Sequence, residues 1–504
     1  MPLVGLSSSQ SYSGQLAGFQ ALLGILLVAS ALFYLTLGLF FGLDPPDCPR
    51  PAADHARSGS VHVVHRLDAT PAGPYREDPT TLRAELANVT FYIITSFMAS
   101  HNHLCNETNK GGHDWPPAKA PEDMGGEQLF TSLLRRSPYR TFDRTQASLY
   151  IVPVWPWCIA QAANDTEKWL LESSEWGPRY QAQPRQFLIH QQSNQNSDHL
   201  GAVFKSATIL HNGVKRKGDS FGEPASLPLP DAVKDISMPY CSSASFLYTL
   251  PDDYLMNKPR PYMFAAHWDT LKIATEPNLR LQIKDLFTDP AGGLTEALGP
   301  MFGATVPHTY YVEQITQSVF CAVARGHTPT TRALFNMLAG GCIPILFSDR
   351  WHLPFVDQLP WHEMVIFAPE EPGGPATTNA TTTNDTADVP SFMNKQLIQE
   401  QMRRLADDVE LQRFMRANVI KYRRRFFFGT GRADPWDADW DSPVAGDDDR
   451  SGFWGEGSLL VESALLEARK RVIDGIPGPN TPSRRRTIDD LVSQIDHLKA
   501  VLFF

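Results

Sequence analysis

Residues 318–355, SVFCAVARGHTPTTRALFNMLAGGCIPILFSDRWHLPF, hold the densest set of side chains able to do chemistry. A buried-type strand, SVFCAVA, runs into Arg325-Gly326-His327-Thr328-Pro329 and then into a helix. Thr328 is placed to cap that helix and Pro329 suits its first position. A helix that begins at a strand's carboxyl end offers free backbone N–H groups and the positive end of its dipole, which together bind anions. Arg325, Thr330, Thr331 and Arg332 add donors and charge suited to a diphosphate. Arg332 and Asn336 stand four apart and share a helix face. The same residues also describe a well-capped core helix with two solvent-facing arginines, and types and spacing alone do not choose between the two.

Other clusters carry less. Asp437-Ala438-Asp439 has the Asp-x-Asp form of a metal–diphosphate site but sits in an acidic, Trp-bearing tail. His101, His103, Cys105 and His113 have irregular spacing for zinc, and Asn106 beside them opens a sequon, so a loop with Cys105 in a disulfide is the better reading. No metal site is assigned. Arg423-Arg424-Arg425 ends a long helical pattern, where cations suit the dipole; contact with an acidic glycan is the other reading.

The elements that must position these groups follow from periodicity. FYIITSF at 91–97, SLYIVPVW at 148–155 and QFLIH at 186–190 read as strands separated by helical stretches at 127–137 and 167–174. After a Pro-rich region at 223–261, a second series contains PYMFAAH at 261–267, LRLQIKDLF at 279–287, SVFCAVA at 318–324, a helix at 330–341, CIPILFS at 342–348 and MVIFAP at 364–369. Strands alternating with helices predict α/β units with parallel sheets, and ligands bind outside the carboxyl ends of such strands. Residues 370–390 form a low-complexity polar insertion, followed by a helical pattern from about 394 to 425 and further helical patterns near 458–474 and 486–502, the last expected to pack against a lobe.

Composition narrows the function classes. Hydrophobic residues make up 42% and charged residues 20% of 504, as in globular proteins, which argues against wholesale disorder and a multi-span membrane protein. With 45 Lys+Arg against 55 Asp+Glu and no long basic stripe, nucleic acid is not an expected partner. Residues 18–43 are uncharged and mainly apolar, long enough to span a bilayer as one helix. The rival is a signal peptide, since Ala29-Ser30-Ala31 resembles a cleavage site. Arg50, Arg57 and Arg66 after the span favour a cytosolic C-terminal part by positive-inside counting. Sequons at Asn88, Asn106, Asn164, Asn379 and Asn384, and an even set of six cysteines without a C-x-x-C pair, favour a lumenal one.

The stretch 318–355 resembles the exostosin family, glycosyltransferase family 47, which includes heparan-sulfate polymerising enzymes and many plant wall-polysaccharide enzymes. The resemblance rests on a Ser-Phe-Cys-type strand, the turn and arginine helix, Gly341-Cys342-Ile343-Pro344, Ser348-Asp349, Leu353-Pro354-Phe355 and Trp361. Weaker similarity extends to 148–155, to KDISMPY at 234–240 and to RRRFFF at 423–428, covering roughly 88–428.

The resemblance implies a GT-B architecture, two Rossmann-like lobes facing a cleft, and inverting transfer without a required cofactor or metal. The expected organisation is a cytosolic tail at 1–17, a transmembrane anchor at 18–43, a stem at 44–87, an acceptor lobe at 88–258, a nucleotide-sugar lobe at 259–430, and an acidic loop with C-terminal helices at 431–504. Carried onto this chain, Arg325, Gly326, Thr328, Thr330, Thr331 and Arg332 hold the diphosphate of a UDP- or GDP-sugar, and Asn336 faces the nucleoside where the family usually has Asp or Glu. PYMFAAHWD at 261–269 departs from the family's Phe-Ala-Gly, with His267 in place of a basic contact. The base is expected at Asp198-His199, with His190 in reserve. The expected protein is a single-pass type II membrane protein of the Golgi apparatus with a lumenal catalytic part. Its expected partners are a nucleotide sugar, a glycan or glycoprotein acceptor, the membrane, and its own copies or related transferases in a homo- or hetero-oligomer. The alternative is an exostosin-like protein of weak or no activity that binds a glycan or partner. A secreted hydrolase lacks any nucleophile elbow or metal signature.

Overall fold

The computed structural model describes residues 75–95, 126–153, 167–191, 206–212, 235–242, 244–267, 277–299, 308–325, 330–348, 351, 353–369, 391–429, 457–477 and 486–503. The candidate span at 18–43, the clusters at 101–113 and 437–439, and the base pair Asp198-His199 lie outside them. So do Gly326, Thr328, Asn106, Asn164, Asn379 and Asn384. Among the described residues no helix is long and apolar enough to cross a membrane.

Helix α1 (Pro79–Glu85) opens the described chain, its start capped by the Asp78 carboxylate accepting from the Thr80 N–H at 2.9 Å. The first sheet contains β1 (Phe91–Ile93), β2 (Leu149–Val152), β3 (Phe187–Gln191), β4 (Thr208–His211) and β5 (Ile236–Ser237), all parallel and adjacent in chain order. Parallel strands need crossovers, and here they carry α2 (Gly126–Arg135) between β1 and β2 and α3 (Gly177–Ala182) between β2 and β3. Alternation divides the side chains into two layers. Ile151, Leu188 and Leu210 face Phe130 and Leu134 of α2, while Val152, Phe187 and Ile189 face Trp176 and Tyr180.

After α4 (Asp252–Asn257), the second sheet runs β6 (Tyr262–Ala265), β7 (Ser318–Ala324), β8 (Ile343–Phe347), β9 (Ile366–Ala368), again parallel. Its helices are α5 (Pro277–Thr288), α6 (His308–Gln317), α7 (Arg332–Ala339), α8 (Trp361–Met364), α9 (Ser391–Asp407) and α10 (Val409–Tyr422), followed in the chain by α11 (Leu460–Ala468) and α12 (Ile488–Phe503). The run at 279–287 is helical because Leu279, Ile283, Leu286 and Phe287 repeat at helical spacing and bury one face against Phe320 and Phe347. The expected helix from 394 to 425 is two, broken at Asp408, whose carboxylate accepts from the Leu411 N–H at 3.0 Å and caps α10.

The first and last described segments both join this body, and all described residues belong to the unit Ala69–Phe504. Leu82 and Leu86 are buried in the core, and Glu77 pairs with Arg425. The segment read as a stem to residue 87 therefore ends in folded structure. Helix α11 packs on α1, α2 and β5, and α12 buries Leu491, Ile495 and Leu498 beneath the second sheet, as its amphipathic pattern predicts. One apolar core includes Leu188 and Leu210 from the first sheet, Val323 and Leu346 from the second, and Phe335, Phe426 and Leu465. The described structure is thus α/β with two parallel sheets joined through a shared core.

Candidate functional site

Strand β7 is buried along its whole length and delivers Arg325 at its carboxyl end, where the Arg325 N–H extends the ladder by donating to the Phe347 carbonyl at 3.3 Å. The chain returns at Thr330 and is still extended at Thr331 (φ −148°, ψ 140°). The Thr331 hydroxyl accepts from the Ala333 N–H at 3.3 Å, so Thr331 is the cap of α7 and Arg332 its first residue. This corrects the expected cap at Thr328 with Pro329 opening the helix. Thr331 lies in the extended region and Arg332 begins the helical one, so the boundary falls three residues later. The far end is a Schellman turn. Gly341 (φ 68°) donates to Leu338 and Cys342 to Met337, and a Cβ at Gly341 would lie 3.0 Å from Arg260 Nη2.

A disulfide between Cys321 in β7 and Cys342 before β8, Cα atoms 5.9 Å apart, closes the strand–helix–strand unit on itself. The far end of α7 is thereby tied, through Cys342, to the middle of β7.

The segment leaving β5 meets α7. The Thr330 hydroxyl donates to the Tyr240 phenol oxygen at 3.5 Å, and Tyr240 also hydrogen-bonds Asn212 at the end of β4. Ser242 Oγ donates to Asn336 Oδ1 at 2.7 Å, and Asn336 Nδ2 donates to the Tyr311 hydroxyl of α6 at 2.9 Å. Tyr248 closes the set by donating to the Phe335 carbonyl at 3.1 Å. Asn336 is only 3% exposed, so its amide ties three segments together at the helix face expected to meet a nucleoside.

The electrostatics follow from this packing. Burial pushes both the Tyr240 and Tyr311 phenols up to about 12, opposed in each case by the positive charge of Arg332. Arg332 therefore sits close to two neutral phenols that can donate hydrogen bonds to an anion beside it. His267, following β6, stands edge-on to Tyr311 with ring centroids 5.7 Å apart, and burial lowers it to about 4. It is neutral near pH 7, so it supplies no standing positive charge. His190 ends up buried against Phe130, 2% exposed, with neither ring nitrogen hydrogen-bonded, and burial lowers it to about 3. No acceptor hydroxyl reaches it there, which removes the reserve base.

Arg325 thus ends β7, Thr330, Thr331 and Arg332 stand at the start of α7, and Asn336 lies one turn further along that helix. Tyr240, Ser242, Tyr311 and Asn212 were missed as site residues because isolated polar residues in weakly patterned segments give no periodic signal. Tyr240 does close the KDISMPY motif. The other arginines at 423 and 425 are structural. Arg423 is fully buried, and Arg425 pairs with Glu77 and donates to Gln358 at 2.8 Å. Asn88 is exposed beside β1, while the Thr90 hydroxyl of its sequon donates to the Gln146 carbonyl at 2.6 Å.

Sequence comparison places these residues in context. Over 74 residues the chain is 39% identical to a probable glucuronosyltransferase of Oryza sativa subsp. japonica, covering 14% of this chain and 18% of that protein. It is 34% identical over 73 residues to a probable beta-1,4-xylosyltransferase of Arabidopsis thaliana, covering 14% and 18%. The matched stretch thus spans under a fifth of the length of these curated relatives. Residues 124–372 match the model of the Exostosin GT47 domain, a span that begins before β2, ends at the start of the low-complexity insertion and contains Asn212, Tyr240, Tyr311, Arg325, Arg332 and Asn336. Over this span the chain is similar to the exostosin GT47 domain, in agreement with the resemblance read from residues 318–355.

Proposed function

We propose that this protein is a glycosyltransferase that moves a sugar from a UDP- or GDP-sugar to a glycan or glycoprotein acceptor with inversion, its two sheets forming the lobes of a GT-B enzyme. One observation carries the reading. The capped start of α7 lies at the carboxyl end of a buried parallel strand with Arg325, Thr330 and Arg332 beside it, inside the exostosin-matched span. In this reading the free N–H groups of α7 and both arginines hold the diphosphate and stabilise the negative charge that grows on it as the glycosidic bond breaks. Gly326 and Thr328 complete the phosphate loop. Asn336 positions the helix against Tyr311 and Ser242 on the nucleoside side. Asp198-His199 takes the proton from the acceptor hydroxyl as it attacks the anomeric carbon from the opposite face. No cofactor or metal is assigned to this step.

The placement proposed is the Golgi membrane, anchored by residues 18–43 with the remainder lumenal, alone or with related transferases. The Cys321–Cys342 disulfide supports an oxidising compartment. Screening the purified protein against a panel of nucleotide sugars by thermal shift tests the activity class. One donor should raise the melting temperature in a concentration-dependent way, because only the folded state binds it. No stabilisation by any nucleotide sugar or nucleoside diphosphate would remove the reading.

The engaged amide of Asn336 favours a second reading, a protein that binds a nucleotide or glycan with little turnover. The two readings separate on product formation: saturable donor binding with no transfer to any acceptor and no donor hydrolysis selects the binding module.

A further inference from the structure

A pocket of about 470 Å³ lies between α4 and α10, and none of its lining residues belongs to the strand-edge site. Its polar wall is Lys258, Gln412, Arg413 and Arg416, and Tyr75 and Met256 supply an aromatic and an apolar surface. Gln412 is committed to the scaffold, its Nε2 donating to the Leu405 and Ala406 carbonyls at 2.9 Å. Among the described residues the two arginines form no such contact with the scaffold. Lys258 Nζ donates to the Thr316 hydroxyl at 2.8 Å, and among the described residues Lys258, Arg413 and Arg416 form no ion pair with any carboxylate. The Nε of Arg416 is buried with no hydrogen-bond partner.

Behind this wall lies a fourth cation, Arg260, whose guanidinium donates to the carbonyls of Ile315, Ser318 and Gly340. Burial lowers Arg260 to about 9 and Arg416 to about 10, and in each case a neighbouring arginine adds to the effect, Arg416 on Arg260 and Arg413 on Arg416. Four positive groups are thus gathered, two of them desolvated, where water and a carboxylate partner would each be cheaper. Such an arrangement is relieved by an anion that accepts from the arginine forks. A volume of this size suits a small organic molecule rather than a lone ion.

We infer that this pocket binds a sugar-sized molecule bearing a phosphate or sulfate ester, held by Arg413 and Arg416 through paired N–H···O contacts and by Lys258 as a point charge, with the sugar ring against Tyr75 and Met256. The site is separate from the proposed diphosphate site and does not depend on it.

The test uses the full-length chain carrying Arg332→Ala, so that anion binding at α7 does not enter the signal. Glucose 6-phosphate, glucose 6-sulfate and neutral glucose are titrated by calorimetry at low and high salt. At least one ester should bind, more weakly as salt rises, and glucose should not. Adding Arg416→Gln should weaken ester binding at least about tenfold, as loss of a charge-assisted pair does. The exposed Arg413→Gln, which leaves the buried wall in place, should weaken it several-fold in a protein with unchanged melting temperature. Binding of the phosphate alone, the sulfate alone or both identifies the ester and supports the site. No ester binding at millimolar concentration, or equal affinity in the Arg413→Gln protein, overturns it.

Discussion

Arg423 reaches Asp252 across 171 positions of sequence, its Nε and Nη2 lying 3.1 and 2.6 Å from the same carboxylate oxygen. The remaining N–H groups donate to the carbonyls of Leu247, Leu250 and Ala339, so one guanidinium binds the segment after β5, the start of α4 and the end of α7. The side chain is fully buried, and burial depresses the guanidinium while Asp252 opposes that shift. Three elements that frame the strand-edge site therefore share one buried cation.

Removing that cation leaves a carboxylate and three carbonyls without their donor. Arg423→Ala should cost about 3–5 kcal/mol of stability, as expected for breaking a buried pair from one side. Arg423→Lys should recover only part, because an ammonium cannot serve a fork of four acceptors. Urea denaturation of the three proteins measures both effects. A loss under about 1 kcal/mol for Arg423→Ala would show the network to be dispensable.

The Cys321–Cys342 disulfide spans 21 positions of sequence, and a loop of that length is worth about 3 kcal/mol in the chain-entropy account. Alkylation of the unfolded, unreduced protein should leave both thiols unmodified. Cys342→Ser should lower stability by an amount of that order and lower nucleotide affinity with it, since the bridge holds β7 against the strand after α7. Two freely alkylated cysteines at 321 and 342 in protein from the secretory pathway would contradict the cross-link.

Acid should destabilise the fold through His190. Its folded value of about 3 lies below the unfolded 6.5, so between those values the unfolded chain carries a proton that the folded chain refuses. Stability from this residue is complete above about pH 6.5 and falls by about 1.4 kcal/mol per unit as pH drops toward 3. His190→Leu replaces two unsatisfied ring nitrogens by apolar surface, and should flatten the stability profile between pH 6 and 4 with little change at pH 7.5. A variant whose stability still falls as steeply as that of the wild type would place the acid sensitivity elsewhere.

Much of the architecture was legible because buried parallel strands are written as short apolar runs such as SLYIVPVW and CIPILFS, with no competing period. The boundaries of α7 were less so. Thr328-Pro329 has the composition of a helix start, yet Thr330 and Thr331 also cap well, and only the backbone angles decide among the three threonines. The return of α11 onto the first sheet could not be read, because an amphipathic helix specifies that one face is buried and says nothing about against what. The Asn336 network failed for a related reason. Ser242 and Tyr311 lie 94 and 25 positions away from it, and polar pairing at long range leaves no local pattern.

The sequons test which side of the membrane the folded part occupies. Asn88 is exposed at the surface beside β1, so its side chain is free to carry a glycan. If the body is lumenal, glycosidase treatment of protein made in a eukaryotic host should increase its mobility, and Asn379 and Asn384 should contribute to the shift. An unchanged band with all five sequons unmodified would argue for the opposite topology.

The decisive variant for the proposed activity is at Arg332, the first residue of α7, whose charge lies close to both Tyr240 and Tyr311. If it donates to a diphosphate at the helix start, Arg332→Ala removes a charge-assisted pair and should weaken nucleoside diphosphate binding by about 1.5–3 kcal/mol, roughly ten- to a hundredfold. The fold should survive, because Thr331 still caps the helix and the Ser242–Asn336–Tyr311 contacts remain. Arg332→Lys should recover part of the affinity, keeping the charge and losing the planar fork. A diphosphate that also accepts from Tyr240 should bind more weakly in Tyr240→Phe, by a smaller factor, since that hydroxyl is neutral. Calorimetric titration of a nucleoside diphosphate into the four proteins ranks these contributions. Unchanged affinity in a well-folded Arg332→Ala protein would mean that the start of α7 serves the fold alone.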